Sequence, residues 1–223
     1  MPRVFFSSRH GGISNGAYTS LNLGDHVGDS LESVTANREV LRKALSLSHL
    51  VFMNQSHSSD VSVITEDAYS IQTPNADALM TNLRGVGLAV MVADCVPLLL
   101  ASESWVAAVH VGRVGLLDGI VEKVLVEFES RSTTPSRAWI GPHICADCYE
   151  VSPEMYKTAT TERPQLATSE STHCLNLAAE IREILNRANI AITDVHSCAA
   201  ESTDYFSYRR DGVTGRFAGV ISL

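Results

Sequence analysis

Two apolar runs in this sequence each end at a side chain that can do chemistry. The run 87–93 leads into Asp94 and Cys95, and the run 105–109 leads into His110. Both runs are typical of buried strands, so they predict a thiol and an imidazole at the rim of a sheet, where clefts form. Only fifteen residues separate Cys95 from His110. We therefore expect the two strands to be neighbours and the pair to be the centre of an active site.

His57 is a third candidate, because it follows Gln55 after another predicted strand. Two imidazoles and one thiolate are good zinc ligands, and they leave the fourth tetrahedral position open, as in catalytic zinc sites. Zinc lowers the pKa of a water molecule in that position to about 7, which makes hydroxide available at neutral pH. Three scattered residues are not a signature, however. A buried Cys95 that acts as a small apolar side chain, beside two hydrogen-bonded histidines, explains the pattern equally well.

The overall composition predicts a soluble globular protein with reduced thiols. The chain has 223 residues, of which 45% are hydrophobic and 19% charged, and its formal net charge of −8 disfavours nucleic acid or an anionic membrane as partner. The longest apolar run, 86–100, is interrupted by Asp94 and Pro97 and is too short to cross a bilayer. The five cysteines lack the density of a disulfide scaffold, and the first residues predict a strand and turn rather than a signal peptide. We expect a cytoplasmic location.

The order of the predicted elements indicates an α+β layered sandwich rather than a doubly wound sheet, because strands outnumber helices and do not alternate regularly with them. No linker, repeat or low-complexity segment interrupts the chain, which predicts a single domain over residues 1–223. The predicted strands are 4–7, 51–54, 61–65, 87–93, 98–101, 105–110, 138–141, 191–197 and 219–223. The predicted helices are one that is capped at Asp29 and runs to about 44, then 116–129, 153–160 and 176–188.

Arg38 falls inside the apolar stripe of the first predicted helix, which Val34 and Leu41 help to form. An unpaired buried charge is too costly. This arginine must therefore find an acid or project into a cavity.

A set of ordered motifs resembles the laccase-domain family, which was first called multicopper polyphenol oxidase-like and is now described as purine nucleoside phosphorylases. The similarity covers nearly the whole chain. The N-terminal motifs are Phe6-Ser-Ser-Arg-His-Gly-Gly-Ile-Ser14, Leu21-Asn-Leu-Gly24, Val27-Gly-Asp29 and Asn37-Arg38. The later motifs are Gln55-Ser-His57, Ala76-Asp-Ala-Leu79 with Thr81, Ala93-Asp-Cys-Val-Pro97, Ala108-Val-His-Val-Gly112, Ile140-Gly-Pro142, Tyr149-Glu-Val151, Phe206-Ser-Tyr-Arg209 and Thr214-Gly-Arg216.

The resemblance implies a zinc site made by His57, Cys95 and His110, with copper as a less favoured metal. It implies phosphorolysis of adenosine, inosine, guanosine or methylthioadenosine, with inorganic phosphate as co-substrate, and an adenosine deaminase activity. The implied fold is an α/β/β/α sandwich related to that of deamidating cysteine-hydrolase toxins. The expected partners are a small purine nucleoside and phosphate, and the expected state is a monomer or a homodimer.

Arginine side chains are the natural phosphate contacts, because their forked donors fit the oxygens of the anion. Arg9 and Arg38 are the favoured candidates, since Arg9 lies beside a Gly-Gly turn and Arg38 faces inward. Arg209 and Arg216 are further candidates, although a solvated face or a structural ion pair also accounts for them. Asn22 and Asp77 are expected to position ribose hydroxyls or a ligand histidine, with purely structural roles as the alternative.

The chain departs from the family pattern at two places. The usual His-Ala-Gly-Trp-Arg-Gly is here His110-Val-Gly-Arg-Val-Gly115, and the glycine that usually follows the first histidine is Ser58. If the missing arginine contacts substrate, Arg113 must reach the same point from a neighbouring position. On a strand this side chain would face the wrong way, whereas in a glycine-flanked loop it could reach that point.

Other functions remain open at this point. Cys95 as nucleophile with His110 as base would give an amide or peptide-precursor hydrolase. The family resemblance is compatible with this class, since it implies the editing of peptidoglycan precursors as an alternative function. A copper-dependent phenol oxidase is the weakest option, because the sequence lacks the His-x-His pairs of a multicopper cluster. A binding module without catalysis is a non-enzymatic alternative. Cys145-x-x-Cys148 suggests a redox or structural zinc site, but a loop without a functional thiol pair is favoured.

Overall fold

A computed structural model describes residues 1–66 and 73–223 of the chain. Its strands are β1 Arg3–Phe6, β2 His49–Val51, β3 Val61–Val63, β4 Ala78–Thr81, β5 Val86–Val92, β6 Val96–Ala101, β7 Val106–Val111, β8 Arg137–Ile140, β9 Ala191–Asp194 and β10 Phe217–Ser222. Its α-helices are α1 Leu31–Ala44, α2 Arg113–Leu117, α3 Ile120–Glu129, α4 Pro153–Glu162, α5 Leu177–Arg187 and α6 Tyr208–Asp211. Of the helices in these described ranges, none has the length and apolar character that a bilayer-spanning segment needs.

The strands form two mixed sheets. The first has the order β1-β10-β5-β2 and the second has the order β3-β4-β7-β6-β8-β9. In the second sheet the antiparallel pairing of β6 and β7 places Pro97 opposite His110. The central strands β5, β6, β7 and β10 are buried along their whole length. Strands covered on both faces are continuously apolar, which explains why the sequence signal was strongest there.

The layers are arranged as an α/β/β/α sandwich, which confirms the predicted fold class. Leu88 and Val90 of β5 pack between the sheets against Leu99 and Ala108. On the outer side of the first sheet, Leu41 of α1 packs in a separate apolar cluster. The outer side of the second sheet is covered by side chains of α3, α4 and α5, among them Val124, Tyr156, Ala159, Ile181 and Leu185.

The two strands that carry the candidate residues are neighbours, as predicted, but they are not paired in one sheet. The strands β5 and β7 belong to different sheets and face each other across the interior of the sandwich. Cys95 lies in the connection from β5 to β6, and His110 lies on β7. The two side chains therefore approach each other across the end of the sandwich, which leaves room for a cleft between the sheets.

The observed helices differ from two of the helix predictions. The predicted helix 116–129 is two helices, α2 and α3, because Gly119 between them adopts the left-handed conformation with φ 79°. The first helix is capped by Ser30, which accepts a hydrogen bond from the Ser33 amide, and not by Asp29. Asp29 instead accepts hydrogen bonds from the side chains of Ser14 and Asn22. The sequence did not indicate β4 or α6.

Candidate metal centre and active site

His57, Cys95 and His110 converge at one end of the sandwich. Their ligand atoms all lie within 4.8 Å of one another. The distance from Cys95 Sγ to His57 Nε2 is 3.6 Å, and the two imidazole rings meet edge to face with centroids 4.7 Å apart. His110 is buried, Cys95 is partly buried and His57 is exposed. The cluster is thus anchored in the core on one side and open to solvent on the other.

Asp77 fixes both histidines at once. This fully buried carboxylate accepts hydrogen bonds from the backbone amides of His57 and Ser58 at 3.0 and 2.7 Å. It also accepts a hydrogen bond of 2.7 Å from Nδ1 of His110, which leaves Nε2 of that ring free toward the cluster. A carboxylate that orients a histidine in this way is typical of metal sites. Asp77 thus holds the His110 ring and the His57 backbone, which belong to two of the three residues of the cluster.

The backbone around the cluster is held in rare conformations. His57 and Asp94 have positive φ angles of 62° and 109°. Non-glycine residues with such angles are uncommon and concentrate at functional sites. Each angle is supported by contacts, since Asp77 holds the amide of His57 and the carbonyl of Asp94 accepts a hydrogen bond from Ile144.

The charges within the cluster favour a thiolate and an imidazolium. Burial alone would raise the pKa of the Cys95 thiol, but the positive charge and hydrogen bonding of His110, with a smaller effect of His57, lower that pKa to about 6. Burial would likewise lower the pKa of His110, yet the Cys95 charge and the Asp77 carboxylate raise it to about 9. The thiolate is the form of Cys95 that binds a metal, whereas His110 must release the proton on Nε2 before that nitrogen can bind one.

These donors fit a zinc ion. Tetrahedral zinc with bonds of about 2.0–2.3 Å to nitrogen and sulfur places neighbouring ligand atoms about 3.5 Å apart. The observed separation of 3.6 Å between Cys95 and His57 matches that spacing. With three positions taken by protein ligands, the side of the cluster that is open to solvent offers the fourth position of a catalytic site. Thiolate and imidazole ligands also suit copper, so the donor set does not by itself select the metal.

Gly112 leaves the space that the cluster needs. A Cβ atom at this position would lie 2.5 Å from His57 Cδ2 and 3.3 Å from Cys95 Sγ. The φ angle of Gly112 is −84°, so the requirement is for space and not for an unusual backbone. Gly115 is restricted similarly, because its Cβ would lie 2.7 Å from the Ser58 carbonyl oxygen.

We expect Gly112→Ala to weaken zinc binding about tenfold or more, because the added methyl group displaces the His57 ring from the other ligands. Competition with a chromophoric chelator measures this change. Val114→Ala is the control, since Val114 is an exposed neighbour in the same segment. Equal zinc affinities for the two variants would contradict this account of the site.

The cluster forms the floor of a cavity of about 370 Å³. Gln55 helps to shape it, since its side-chain amide exchanges two hydrogen bonds with the backbone of Met91 and so ties the His57 loop to β5. The wall combines apolar and aromatic side chains with two arginines. The lining residues are Gln55, His57, Met91, Val92, Ala93, Asp94, Cys95, His110, Ile144, Tyr149, Leu177, Tyr208, Arg209 and Arg216.

Comparisons with known proteins agree with the motifs. The family model described as multi-copper polyphenol oxidoreductase laccase matches residues 3–223. The chain belongs to this laccase-like family. Among similar proteins, one from Corynebacterium glutamicum named a purine nucleoside phosphorylase is 41% identical and covers 99% of this chain and 94% of its own. One of the same name from Escherichia coli, YfiH, is 34% identical, over 97% of this chain and 92% of its own.

Solved structures of similar proteins share the laccase-like fold. The Neisseria meningitidis protein NMB0706 superposes with a TM-score of 0.88 at 35% identity, and covers 100% of this chain and 94% of its own. YlmD from Geobacillus stearothermophilus gives a TM-score of 0.87 at 28% identity, over 99% of this chain and 91% of its own.

Two arginines of this laccase-like chain reach the cavity, and they are not the two that the sequence favoured. Arg209 donates to the Glu150 carbonyl oxygen and Arg216 donates to the carbonyl oxygens of Thr214 and Gly215. Within the described ranges neither guanidinium forms an ion pair with a carboxylate, whereas seven other arginines do. Their positive charges therefore remain available to an anion in the cavity.

Both cavity arginines are positioned by polar side chains, one partly buried and one fully buried. Asp94 accepts hydrogen bonds from the Ser207 hydroxyl at 2.6 Å and from the Arg209 amide at 2.7 Å, which fixes the start of α6. Asn22 is fully buried and accepts a hydrogen bond of 2.8 Å from the Arg216 amide. Asn22 thus supports an arginine of the cavity and does not line the cavity itself.

Arg9 and Arg38 lie outside the cavity lining. Arg38 pairs with Asp25 at 3.2 Å and stacks on Phe52, so it has found the acid that its inward position requires. Arg9 donates to the Thr19 carbonyl oxygen and stacks on Phe206. The contacts given for both arginines are therefore to other parts of the protein and not to the cavity.

Arg113 lies in the segment 110–115, which differs from the family motif. The structure places this residue at the first position of α2 and not on a strand. Its guanidinium lies near the hydroxyl of Tyr149, whose pKa is raised by burial against the opposing effect of Arg113. Tyr149 lines the cavity. Arg113 therefore acts on the cavity wall through Tyr149.

Sequence reasoning missed the contribution of Tyr149, Tyr208 and Leu177 to the cavity. The signal for Tyr149 was its place in the Tyr-Glu-Val motif, and Arg216 was signalled by the Thr-Gly-Arg motif. Cys145 and Cys148 do not line the cavity.

Proposed function

We propose that this chain is a zinc-dependent purine nucleoside phosphorylase. The observation that carries this proposal is one cavity in which a His-Cys-His cluster faces two arginines that have no carboxylate partner in the described part of the chain. The names of the relatives from Corynebacterium glutamicum and Escherichia coli support it. The proposed substrates are adenosine, inosine, guanosine and methylthioadenosine, each cleaved by phosphate to the free base and the sugar 1-phosphate, with deamination of adenosine as a second activity.

The cavity offers separate places for the parts of such a substrate. Arg209 and Arg216 would hold phosphate, because guanidinium groups bind its oxygens with charge-assisted hydrogen bonds. Met91, Ile144 and Leu177 give an apolar surface against which a purine can lie. Bound zinc would act as a Lewis acid and supply hydroxide at neutral pH for deamination. His57, Cys95 and His110 would hold the ion, and Asp77 would hold the two imidazoles in place.

The test incubates the purified protein with adenosine and with inosine, each with and without phosphate, beside a measurement of bound metal. We expect phosphate-dependent release of adenine and hypoxanthine, conversion of adenosine to inosine without phosphate, and about one zinc per His-Cys-His cluster. Absence of both base release and inosine formation from zinc-loaded protein would overturn the proposal. Copper in place of zinc, with oxidation of phenols and no nucleoside turnover, would favour a phenol oxidase.

We expect Arg216→Gln to raise the KM for phosphate by about tenfold to a hundredfold without loss of zinc, because the variant removes a charge-assisted contact and leaves the metal ligands unchanged. Steady-state kinetics at varied phosphate measures the effect. Arg38→Gln is the matched comparison, since Arg38 is bound to Asp25 outside the cavity. A larger KM change in Arg38→Gln than in Arg216→Gln would contradict this assignment of the phosphate site.

The second candidate is a cysteine hydrolase, which the lowered pKa of Cys95 favours. Cys95 would attack an amide carbon with His110 as base and acid. The two candidates differ in their need for metal. A chelator should abolish a zinc-dependent activity and leave a cysteine hydrolase active, and turnover of an amide but not a nucleoside would favour the second candidate.

The reactivity of Cys95 in metal-free protein gives a further expectation. Only the thiolate reacts, so alkylation by iodoacetamide should accelerate as the pH rises through about 6 and then level off. Cys145 and Cys148 should react slowly at neutral pH, because burial and neighbouring thiols raise the pKa of each. Mass spectrometry of the modified peptides measures each rate, and Zn²⁺ should protect Cys95. A midpoint near the ordinary thiol value of 9.0 would refute the ion pair with His110.

A further inference from the structure

A second group of thiols converges on one point outside the cavity. The sulfur atoms of Cys145, Cys148 and Cys198 all lie within 4.8 Å of one another, and each side chain is partly exposed. Zinc with bonds of about 2.3 Å to thiolates places neighbouring sulfur atoms about 3.8 Å apart. The three sulfurs therefore need only a small contraction to surround a zinc ion.

The backbone holds two of these cysteines in a turn. The amides of Cys148 and Tyr149 both donate to the Cys145 carbonyl oxygen, at 3.2 and 3.1 Å. A Cys-x-x-Cys turn of this kind presents both sulfurs to the same side and has the spacing found in structural zinc sites. The Cys145 amide also donates to the sulfur of Cys198 at 3.3 Å. An amide donor to sulfur favours the thiolate form that a metal requires.

Cys198 is brought to this turn by a short parallel bridge between two loops. The His143 amide donates to the Ser197 carbonyl oxygen at 3.1 Å, and the Ala199 amide donates to the His143 carbonyl oxygen at 2.8 Å. The position of Cys198 relative to Cys145 is therefore set by the backbone and does not depend on a flexible side chain.

A carboxylate, that of Glu201, lies beside the thiols. Its Oε1 atom lies 3.7 Å from the sulfur of Cys148. The Ser202 amide donates to the Cys198 carbonyl oxygen at 3.0 Å, and this turn directs residue 201 back toward the thiols. Three thiolates would take three positions of a tetrahedral zinc ion. The Glu201 carboxylate lies close to Cys148 but not within 4.8 Å of all three sulfurs, so its side chain would turn inward to take the fourth position.

We propose that Cys145, Cys148, Cys198 and Glu201 bind a structural zinc ion that ties the loop 143–149 to the loop 197–202. The first loop carries Ile144 and Tyr149, which line the cavity. The second loop is joined to α6 by Arg210, which donates to the carbonyl oxygens of Ala199 and Ser202. The ion therefore fixes one wall of the cavity without contact with substrate, and this role holds whatever reaction the cavity performs.

Metal analysis of the full chain in a Cys95→Ser background tests this site apart from the first. After loading with Zn²⁺ and removal of excess ion, we expect this variant to retain about one zinc per chain. Adding Cys145→Ser and Cys148→Ser should remove that ion, whereas adding Cys174→Ser should not, since Cys174 is a buried thiol outside the cluster. Zn²⁺ should raise the thermal midpoint of stripped Cys95→Ser protein by about 5 °C or more.

Two results would overturn the proposal. One is no retained zinc and no thermal shift in folded Cys95→Ser protein. The other is a Cys145–Cys148 disulfide in protein purified without reductant, shown by peptide mapping. Should the variant with three serines fail to fold, the comparison of Cys95→Ser with and without Zn²⁺ still decides the matter.

Discussion

We expect Cys95→Ser to abolish zinc binding by the His-Cys-His cluster and, for the proposed phosphorylase activity, to lower kcat/KM for purine nucleosides by about a thousandfold or more. A serine hydroxyl is a poor ligand for zinc, and two imidazoles alone hold the ion weakly. The variant also removes the negative charge that contributes to raising the pKa of His110 to about 9. The imidazolium form of His110 is therefore less stable in the variant than in the wild type. Metal analysis and nucleoside kinetics on the same preparation measure both losses.

Cys174→Ser is the control for a change of thiol to hydroxyl. Cys174 is buried, and its sulfur lies 3.5 Å from the Asp147 and Thr172 carbonyl oxygens, away from the cavity. It should keep zinc in the His-Cys-His cluster and full activity. Full nucleoside turnover in Cys95→Ser would show that the cluster is not the reaction centre.

The sequence could predict where the central strands lie in the chain, but not which strands pair with one another. The apolar runs located β5 and β7 to within a residue or two. They could not show that the two strands belong to different sheets, because a strand buried on both faces has no alternation that reveals its neighbours. Similarly, the periodicity of 116–129 could not show the break at Gly119, since apolar side chains continue on both sides of it.

For the candidate site, too, the residue types could be predicted from the sequence, but the contacts between distant residues could not. The types of His57, Cys95 and His110 indicated metal chemistry, and the structure brings all three together. The arginines were harder to rank. Arg38 was expected to need an acid or a cavity, and it is paired with Asp25. Arg216 depends on a hydrogen bond from its amide to Asn22, a contact between residues far apart in sequence that no local pattern reveals.

Asp77→Asn will weaken zinc binding by about a hundredfold and destabilise the fold by about 3 kcal/mol. Asp77 uses both oxygens, and its partners include the amides of Ser56, His57 and Ser58 as well as Nδ1 of His110. An asparagine has one oxygen and an NH2 group, which must face one set of these donors. The buried donors that lose their acceptor then destabilise the folded state. Chelator competition and urea unfolding measure the two effects.

The pH dependence separates the loss of this charge from a general packing defect. Burial raises the pKa of Asp77, but His110 and the amides of Ser58 and Ser56 outweigh it and lower the pKa to about 2, from 3.8. A lowered pKa means that the carboxylate stabilises the folded state above about pH 4, and this contribution is lost as the pH falls toward 2. The difference in unfolding free energy between wild type and Asp77→Asn should therefore shrink across that window. A difference that stays constant from pH 6 to pH 2 would show that the carboxylate charge does not hold the two histidines.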